Sequence, residues 1–376
     1  MKVSITKPVF DIKEEKAVID VLRSGWVTQG PKVAEFEEAV AKYTGAKYAV
    51  AVTSATTALF LSLYVLDIHA GDEVIVPSYS FIASANVIVH AGGKPVFLDI
   101  DPRTYNLDPN KIEELVTKKT KGIMAVDQVG LPCDLDAIEK IARKHDLFVL
   151  EDAACAMGSI YKGRKIGSLS EITCFSFHPR KLITTGDGGM IVTNNRKLAE
   201  RARLLRNQGM SVSDVARHKS KEILFESYPE VGFNFRMTDI QAAIGIEQMK
   251  KLSRILKRRE ILAKRYDKAF GTSKFITPPY IPDGYVTNRQ SYMVRLSKGP
   301  RISRNELMQK LLDLGVATRR GVMATHLEPA YKKFVGKISL PETKKALDET
   351  IILPLYHQMT IEEQDFVIDK ILEFVG

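Results

Sequence analysis

Lys181 lies in the stretch 176–191, "SFHPRKLITTGDGGMI", between two short apolar runs. It closes a basic cluster, His178-Pro179-Arg180-Lys181, and Gly186-Asp187-Gly188-Gly189 follows. A lysine so placed is either a solvated charge or an amine nucleophile beside a loop that lets another group approach closely. Three other stretches set polar residues just beyond apolar runs. Thr53-Ser54-Ala55-Thr56-Thr57 opens a helical pattern, and such an N-terminus is an anion site as well as an ordinary N-cap. Glu151-Asp152 ends "LFVLED", where a carboxylate either caps the next segment or is a buried charge that needs a cationic partner. In "VPSYSF" (76–81), Tyr79 and Phe81 offer either a flat wall for a ring or the rim of a core.

Taken together these are a phosphate cradle, an aromatic platform, a carboxylate and a lysine. Pyridoxal 5′-phosphate needs all four: an anion site for its phosphate, a flat wall for its ring, a carboxylate for its protonated pyridine nitrogen and a lysine for its aldehyde. Competing chemistries lack their residues. "TTGDGGM" has no Lys-Ser/Thr ending, so it is not a P-loop, and no GxGxxG follows the first strand. None of the seven histidines forms HxxxH or HExxH, so no metal site is expected, and GxSxG is absent.

The elements that must hold these residues alternate. Val33, Phe36, Val40 and Tyr43 recur at helical spacing. Strand patterns at 47–53, 73–76, 95–100, 122–126 and 147–152 are separated by helix patterns at 56–66, 82–91, 109–119 and 134–145. The helix at 56–66 is apolar nearly all round, which predicts an interior position. Short strands at 172–177 and 189–193 follow. The pattern predicts an α/β fold with a mostly parallel central sheet flanked by helices, its functional groups at the carboxyl ends of the strands. A long helix near 239–268 leads into a smaller C-terminal α+β unit with a strand at 290–296, a helix at 303–314, a loop-rich stretch and a terminal helix at 361–374. The expected division is a large domain, 1–245, and a small one, 246–376.

The 376 residues exceed the usual single compact core, which agrees with two domains. Three cysteines without a CxxC pair point away from a disulfide scaffold or zinc ribbon and towards a reducing compartment. The first residues contain no signal-peptide core, and no run approaches the roughly 20 apolar residues of a membrane span. The net charge of +10 comes from 55 basic residues scattered among 45 acidic ones, which suits either a solvated surface or a basic cleft for a phosphorylated substrate. No basic helix or aromatic-interleaved stripe reads as a nucleic-acid surface.

The chain resembles the pyridoxal-phosphate-dependent nucleotide-sugar aminotransferases of the DegT family, on the fold-type I aminotransferase scaffold. The resemblance covers nearly the whole chain. It rests on "SGWVTQGPKVAEFEEAVAKYTGAKYAVAVTSATTAL" (24–59), "VPSYSFIASANVIVHAGGKPVFLDID" (76–101), the block 151–195 containing "EDAACAMGS" and "SFHPRKLITTGDGG", and "GFNFRMTDIQAAIG" (232–245). It implies that Lys181 forms the Schiff base with the cofactor. Asp152 would face the pyridine nitrogen, and Phe81 would stack on the ring. Ser176, Ala55 and Thr56 would bind the phosphate. Asn234 would reach the phosphate held by the other subunit of a homodimer with shared active sites. The implied activity is amino transfer from an amino acid, L-glutamate in the first instance, to a nucleotide-linked keto sugar of the 4-keto-6-deoxy type, in the cytoplasm. A keto-cyclitol substrate, or a non-catalytic regulator on the same scaffold, are the alternatives.

The chain departs from the family pattern at several places. Cys155 stands where Gln or His is usual, near the cofactor's phenolic oxygen, and thiol is a weaker hydrogen-bond partner. Ala55 replaces a common Gly, Asp187 a Glu and Gln208 a His. In "GVATRRGVMATHLEPAY" (315–331), "TRRG" replaces a His-Tyr pattern, so Arg319 and Arg320 are either grips for substrate phosphate or carboxylate groups or a solvated basic turn. His326 is either a substrate contact or a packed histidine, and Arg236 is a further candidate substrate contact. Some relatives carry His in place of the lysine and are dehydratases; Lys181 favours transamination.

Overall fold

The computed structural model describes residues 1–212, 217–218, 220–297 and 302–376. Seven strands form the central sheet: β1 Tyr48–Val52, β2 Glu73–Pro77, β3 Lys94–Leu98, β4 Thr120–Val126, β5 Phe148–Asp152, β6 Ile172–Ser176 and β7 Gly189–Thr193. Their order across the sheet is β1-β7-β6-β5-β4-β2-β3. Every pairing is parallel except those of β7, which runs antiparallel to both β1 and β6. The expectation of a mostly parallel sheet holds. The exception has a local cause, because a short loop from Ser176 to Gly189 returns the chain beside its own strand, as a hairpin does.

Alternate residues of each strand feed two cores. Ala49, Ala51, Ile123, Val149, Phe175 and Val192 pack on Val33, Phe36 and Val40 of α2 (Pro31–Thr44) and on the start of the long helix. Val50, Val52, Val74, Met124, Leu150 and Ile191 pack on α3 (Ala55–Val65) and α4 (Ala83–His90). Helix α3 buries Ala58, Leu59, Leu61, Leu63 and Val65, as its all-round apolar sequence predicts. Both faces are therefore covered, and several strands end in polar or small residues at the sheet's carboxyl edge. Val52, Pro77, Asp152 and Ser176 end their strands there, and antiparallel β7 begins there with Gly189.

The long helix, Asp239–Phe270, starts at a capping box of Thr238 and Gln241. It leads to a four-stranded antiparallel sheet with strand order Ile276–Thr277, Tyr292–Leu296, Thr350–Leu353, Arg319–Arg320. Helices Arg304–Asp313 and Ile361–Val375 border a separate apolar cluster around that sheet, which Val3 joins through a bridge to Val316.

The structure corrects the helix expected at 109–119. Pro109–Lys111 and Glu113–Leu115 form two 3₁₀ turns, and Val116 is extended. Asp108 caps Asn110, while Thr117 donates its hydroxyl to Glu73 and its N–H to Thr120, so side chains take the bonds a longer helix would need. Within the expected loop-rich stretch lie helix Pro341–Glu349 and strand Thr350–Leu353, and helices Ile12–Ser24 and Arg196–Leu205 add to the expected elements. Among the described residues, no helix is long and apolar enough to cross a membrane.

Candidate active site

The anion end is built by three elements. Ser54 caps α3 by accepting from the Thr57 N–H, and Thr57 returns its hydroxyl to the Ser54 backbone. The N–H groups of Ala55 and Thr56 lie in the first turn, outside the helix's own ladder, and Thr56 is exposed. Gly189 of β7 passes directly over this turn: a Cβ there would fall 2.2 Å from the Ser54 carbonyl oxygen and 2.7 Å from the Ala55 nitrogen. Ser176 pairs in register with Gly189, which brings its hydroxyl to the same corner.

The acidic end is Asp152, the last residue of β5. Its Oδ2 accepts from the Ser84 hydroxyl at 2.8 Å and its Oδ1 from the Ala154 N–H at 3.2 Å. Ser84 is in turn 2.7 Å from the Ser80 hydroxyl. Burial pushes the Asp152 carboxyl up, while Ser84, Ala154 and the positive charge of Lys181 oppose the shift. Phe81 follows Ser80 and leaves 63% of its surface exposed at the mouth. Tyr79 is fully buried instead, its hydroxyl 2.7 Å from Thr350 Oγ1 and accepting from the Val322 N–H, so it joins the two sheets rather than walling the site.

Lys181 projects from the loop after β6. Its Nζ donates to Cys155 Sγ at 3.0 Å. The structure thus brings together Lys181, Cys155 and Asp152, with Ser176, Gly189, Ala55 and Thr56 along the neighbouring strand ends. Arg319, on an exposed edge strand, is near enough to Arg180 that burial and then the Arg180 charge hold its guanidinium below its ordinary range. Arg320 is 4.0 Å from Glu328. His326 packs against Ser78, whose hydroxyl accepts from the His326 backbone at 3.1 Å and lies 2.5 Å from Nδ1; burial holds this imidazole down. Arg236 turns its guanidinium to Asn207 at 2.8 Å. Asn234 is exposed and makes no side-chain hydrogen bond among the described residues.

A lysine amine opposite a buried carboxylate, with a helix N-terminus to one side, suits a flat, anionic, carbonyl-bearing ligand. Residues 9–372 match the DegT/DnrJ/EryC1/StrS aminotransferase family. The chain belongs to this family. It is 39% identical over 372 residues to the spore coat polysaccharide biosynthesis protein SpsC of Bacillus subtilis, covering 98% of this chain and 96% of SpsC. It is 42% identical over 335 residues to the GDP-perosamine synthase of Caulobacter vibrioides, covering 88% and 87%. The sugar aminotransferase Spr1654 of Streptococcus pneumoniae, described as putative, superposes in its PMP-form with a TM-score of 0.93 at 31% identity, covering 98% of both chains. The same protein in its PLP-form gives 0.91.

Several residues of this DegT-family site escaped sequence reasoning. Ser84 lies in the first turn of α4 and Ser80 in the loop before it, and nothing in the sequence ties either to Asp152. On the other side of β5, Glu151 and Asp127 form a fully buried carboxyl pair with Thr173 donating to Glu151 Oε2 and the Cys133 N–H to Asp127 Oδ1. Burial pushes both up, Glu151 to about 7, and one oxygen of each lacks a separate donor, as expected for two carboxyls sharing a proton.

Proposed function

We propose that the chain is a pyridoxal 5′-phosphate-dependent aminotransferase that moves an amino group from an amino acid, L-glutamate in the first instance, to the keto group of a nucleotide-linked sugar, for amino-sugar or surface-polysaccharide biosynthesis. The single observation that carries this reading is Lys181 Nζ held on Cys155 Sγ in a site where Lys181's charge acts on buried Asp152.

The residues present fit the cofactor. Gly189 passes so close over the first turn of α3 that a Cβ would overlap the Ser54 carbonyl, and this close approach brings the N–H groups of Ala55 and Thr56 beside the strand end that carries the Ser176 hydroxyl. Asp152 is a buried acceptor suited to a protonated ring nitrogen, and Phe81 stands at the mouth to cover a ring face. When bound, this cofactor supplies an electron sink for the pair left at the donor's Cα. Asp152 would hold the proton on the ring nitrogen, and Ser84, which donates to Oδ2 at 2.8 Å, fixes the carboxylate that would do so. Lys181 Nζ would take the proton from the donor's Cα as general base and return it as general acid to the cofactor carbon that had carried the aldehyde. Cys155 orients that amine. Arg319, Arg320, Arg236 and His326 are assigned to substrate contact, the arginines for phosphate or carboxylate groups.

The same proposal includes the division at residue 245 and a homodimer in which Asn234 serves the partner subunit's phosphate site. Asn234 is exposed, and the segment before it leaves Ile223, Phe225, Tyr228 and Val231 each more than half exposed, an apolar surface that a second copy would cover. A cytoplasmic location accords with three cysteines that are all free.

The test is a divided reaction. Enzyme loaded with cofactor and L-glutamate is freed of donor, then offered a nucleotide-linked 4-keto-6-deoxy sugar, a free keto sugar and a keto-cyclitol. Return of the lysine-linked absorbance with the nucleotide-linked ketone supports the reading. Return with the cyclitol alone overturns the substrate class.

A further inference from the structure

The two partners of the Lys181–Cys155 contact are held by side chains from one tripeptide that lies outside every motif described above. Asn288 donates its Nδ2 to the carbonyls of Cys155 at 2.7 Å and Met157 at 2.9 Å. Gln290 donates its Nε2 to the carbonyl of Arg180 at 2.6 Å, which is the peptide leading into Lys181. Asn288 Oδ1 also accepts from the Gln290 backbone at 2.8 Å, so the two prongs brace each other. Gly130 is packed so tightly on this prong that a Cβ there would fall 2.0 Å from Asn288 Oδ1.

Arg289, between them, faces the long helix. Its Nε donates to Glu260 at 2.9 Å and its Nη2 to Asp267 at 3.1 Å. The same helix reaches back through Arg259, which donates Nε to the Arg289 carbonyl at 2.8 Å and Nη2 to the Gln290 carbonyl at 2.7 Å. Asn288, Arg289, Gln290 and Arg259 are all buried. Burying two guanidinium groups is costly unless each is well bonded, and this arrangement satisfies one with carboxylates and the other with carbonyls. Arg289 has φ +55°, a left-handed conformation that a non-glycine residue keeps only where its surroundings over-determine it. Side chains 288 and 290 reach the site while 289 points to the helix.

We propose that Asn288, Arg289 and Gln290 are positioning residues that tether Lys181 and Cys155 to the long helix, so that the seating of the C-terminal sheet against the large one sets where the Lys181 amine points. This rests on the reading of Lys181 as the cofactor lysine. Rotation of the Arg180–Lys181 peptide would re-aim the lysine side chain, and the Gln290 amide blocks that rotation. Displacement of Cys155 would remove the group on which Nζ rests, and Asn288 prevents it.

The experiment uses Gln290→Met, which keeps the side chain's shape and removes its donor, and Asn288→Ala. The full-length cofactor-free protein is mixed with pyridoxal 5′-phosphate, and the lysine link is followed by its visible absorbance. Gln290→Met is expected to slow linkage about tenfold, the effect of losing one well-formed hydrogen bond at the reacting geometry. In parallel, the cofactor-free protein is labelled with an amine-reactive acetylating reagent and mapped by mass spectrometry. Lys181 labelling should change severalfold in Gln290→Met while other lysines do not. Ser303→Ala, which removes the N-cap of helix Arg304–Asp313, is the stability control: it lowers the unfolding temperature and leaves linkage at the wild-type rate. Wild-type rate and wild-type Lys181 labelling in a folded Gln290→Met protein would overturn the tether. Should Asn288→Ala fail to fold, the Gln290→Met result decides alone. If wild-type Lys181 takes no cofactor, the functional reading falls, and the labelling arm still decides the tether.

Discussion

Replacing Gly189 by alanine tests the anion cradle with a single methyl group. The added Cβ would lie 2.2 Å from the Ser54 carbonyl oxygen, 2.3 Å from its carbon and 2.7 Å from the Ala55 nitrogen. All three are backbone atoms at the cap of α3, so no side chain can rotate away. Relief to ordinary contact, about 3.4 Å or more, requires β7 and the first turn of α3 to separate by roughly 1 Å. Overpacking of this kind costs about 1–3 kcal/mol of stability. The larger effect falls on the ligand. The Ala55 and Thr56 N–H groups move relative to Ser176, and a misplacement of about 1 Å in a preorganised site costs on the order of 10²-fold. We therefore expect Gly189→Ala to raise the apparent Kd for pyridoxal 5′-phosphate by about 10- to 100-fold, measured by equilibrium titration of the lysine-linked absorbance. Gly71→Ala is the comparison: its φ of +96° makes alanine strained, yet its Cβ meets nothing within 4 Å. It should lower the unfolding temperature and leave cofactor affinity at the wild-type value. Wild-type affinity in Gly189→Ala would refute the placement of the phosphate at this turn.

Other perturbations have equally definite outcomes. The buried Glu151 carboxyl holds its proton up to about pH 7, whereas an exposed glutamate loses it near 4.5, so the folded state binds the extra proton and stability falls as pH rises across that window. Glu151→Gln keeps a donor towards Asp127 and should flatten this part of the profile of unfolding temperature against pH; a slope equal to wild type contradicts the shared proton. Asp152→Asn should slow exchange of the donor's Cα hydrogen with deuterated solvent on the order of 10²-fold while cofactor still binds. Exchange at the wild-type rate would remove Asp152 from the role given to it. Lys181→Ala should bind cofactor without forming the lysine link and show no turnover; turnover at the wild-type rate contradicts the base assignment.

Much of the scaffold was legible because it follows from periodicity. The apolar strand runs, the all-round apolar α3 and the long helix after Thr238 all fold as their sequences dictate. Asp152 and Ser176 were legible as positions because strand ends are where polar residues interrupt apolar runs, and Lys181 because a basic cluster and a glycine loop frame it. The helix expected at 109–119 failed because local capping by Asp108 and Thr117 outcompetes the helical ladder, which an apolar period does not report. Tyr79 looked like a ring platform, but its partners, Thr350 and Val322, are more than 240 residues away in sequence. The 288–290 tether was invisible for the same reason. Asn288 and Gln290 act through carbonyls of Cys155 and Arg180, and a carbonyl acceptor leaves no mark on residue type.

The central claim is that Lys181 is the amine that joins the cofactor. Enzyme saturated with pyridoxal 5′-phosphate, reduced with borohydride and digested, should carry one phosphopyridoxyl group per chain, on the peptide containing Lys181, and Lys181→Ala should carry none there. A modified peptide that maps to another lysine, or no modified peptide from the saturated wild-type protein, would contradict the account.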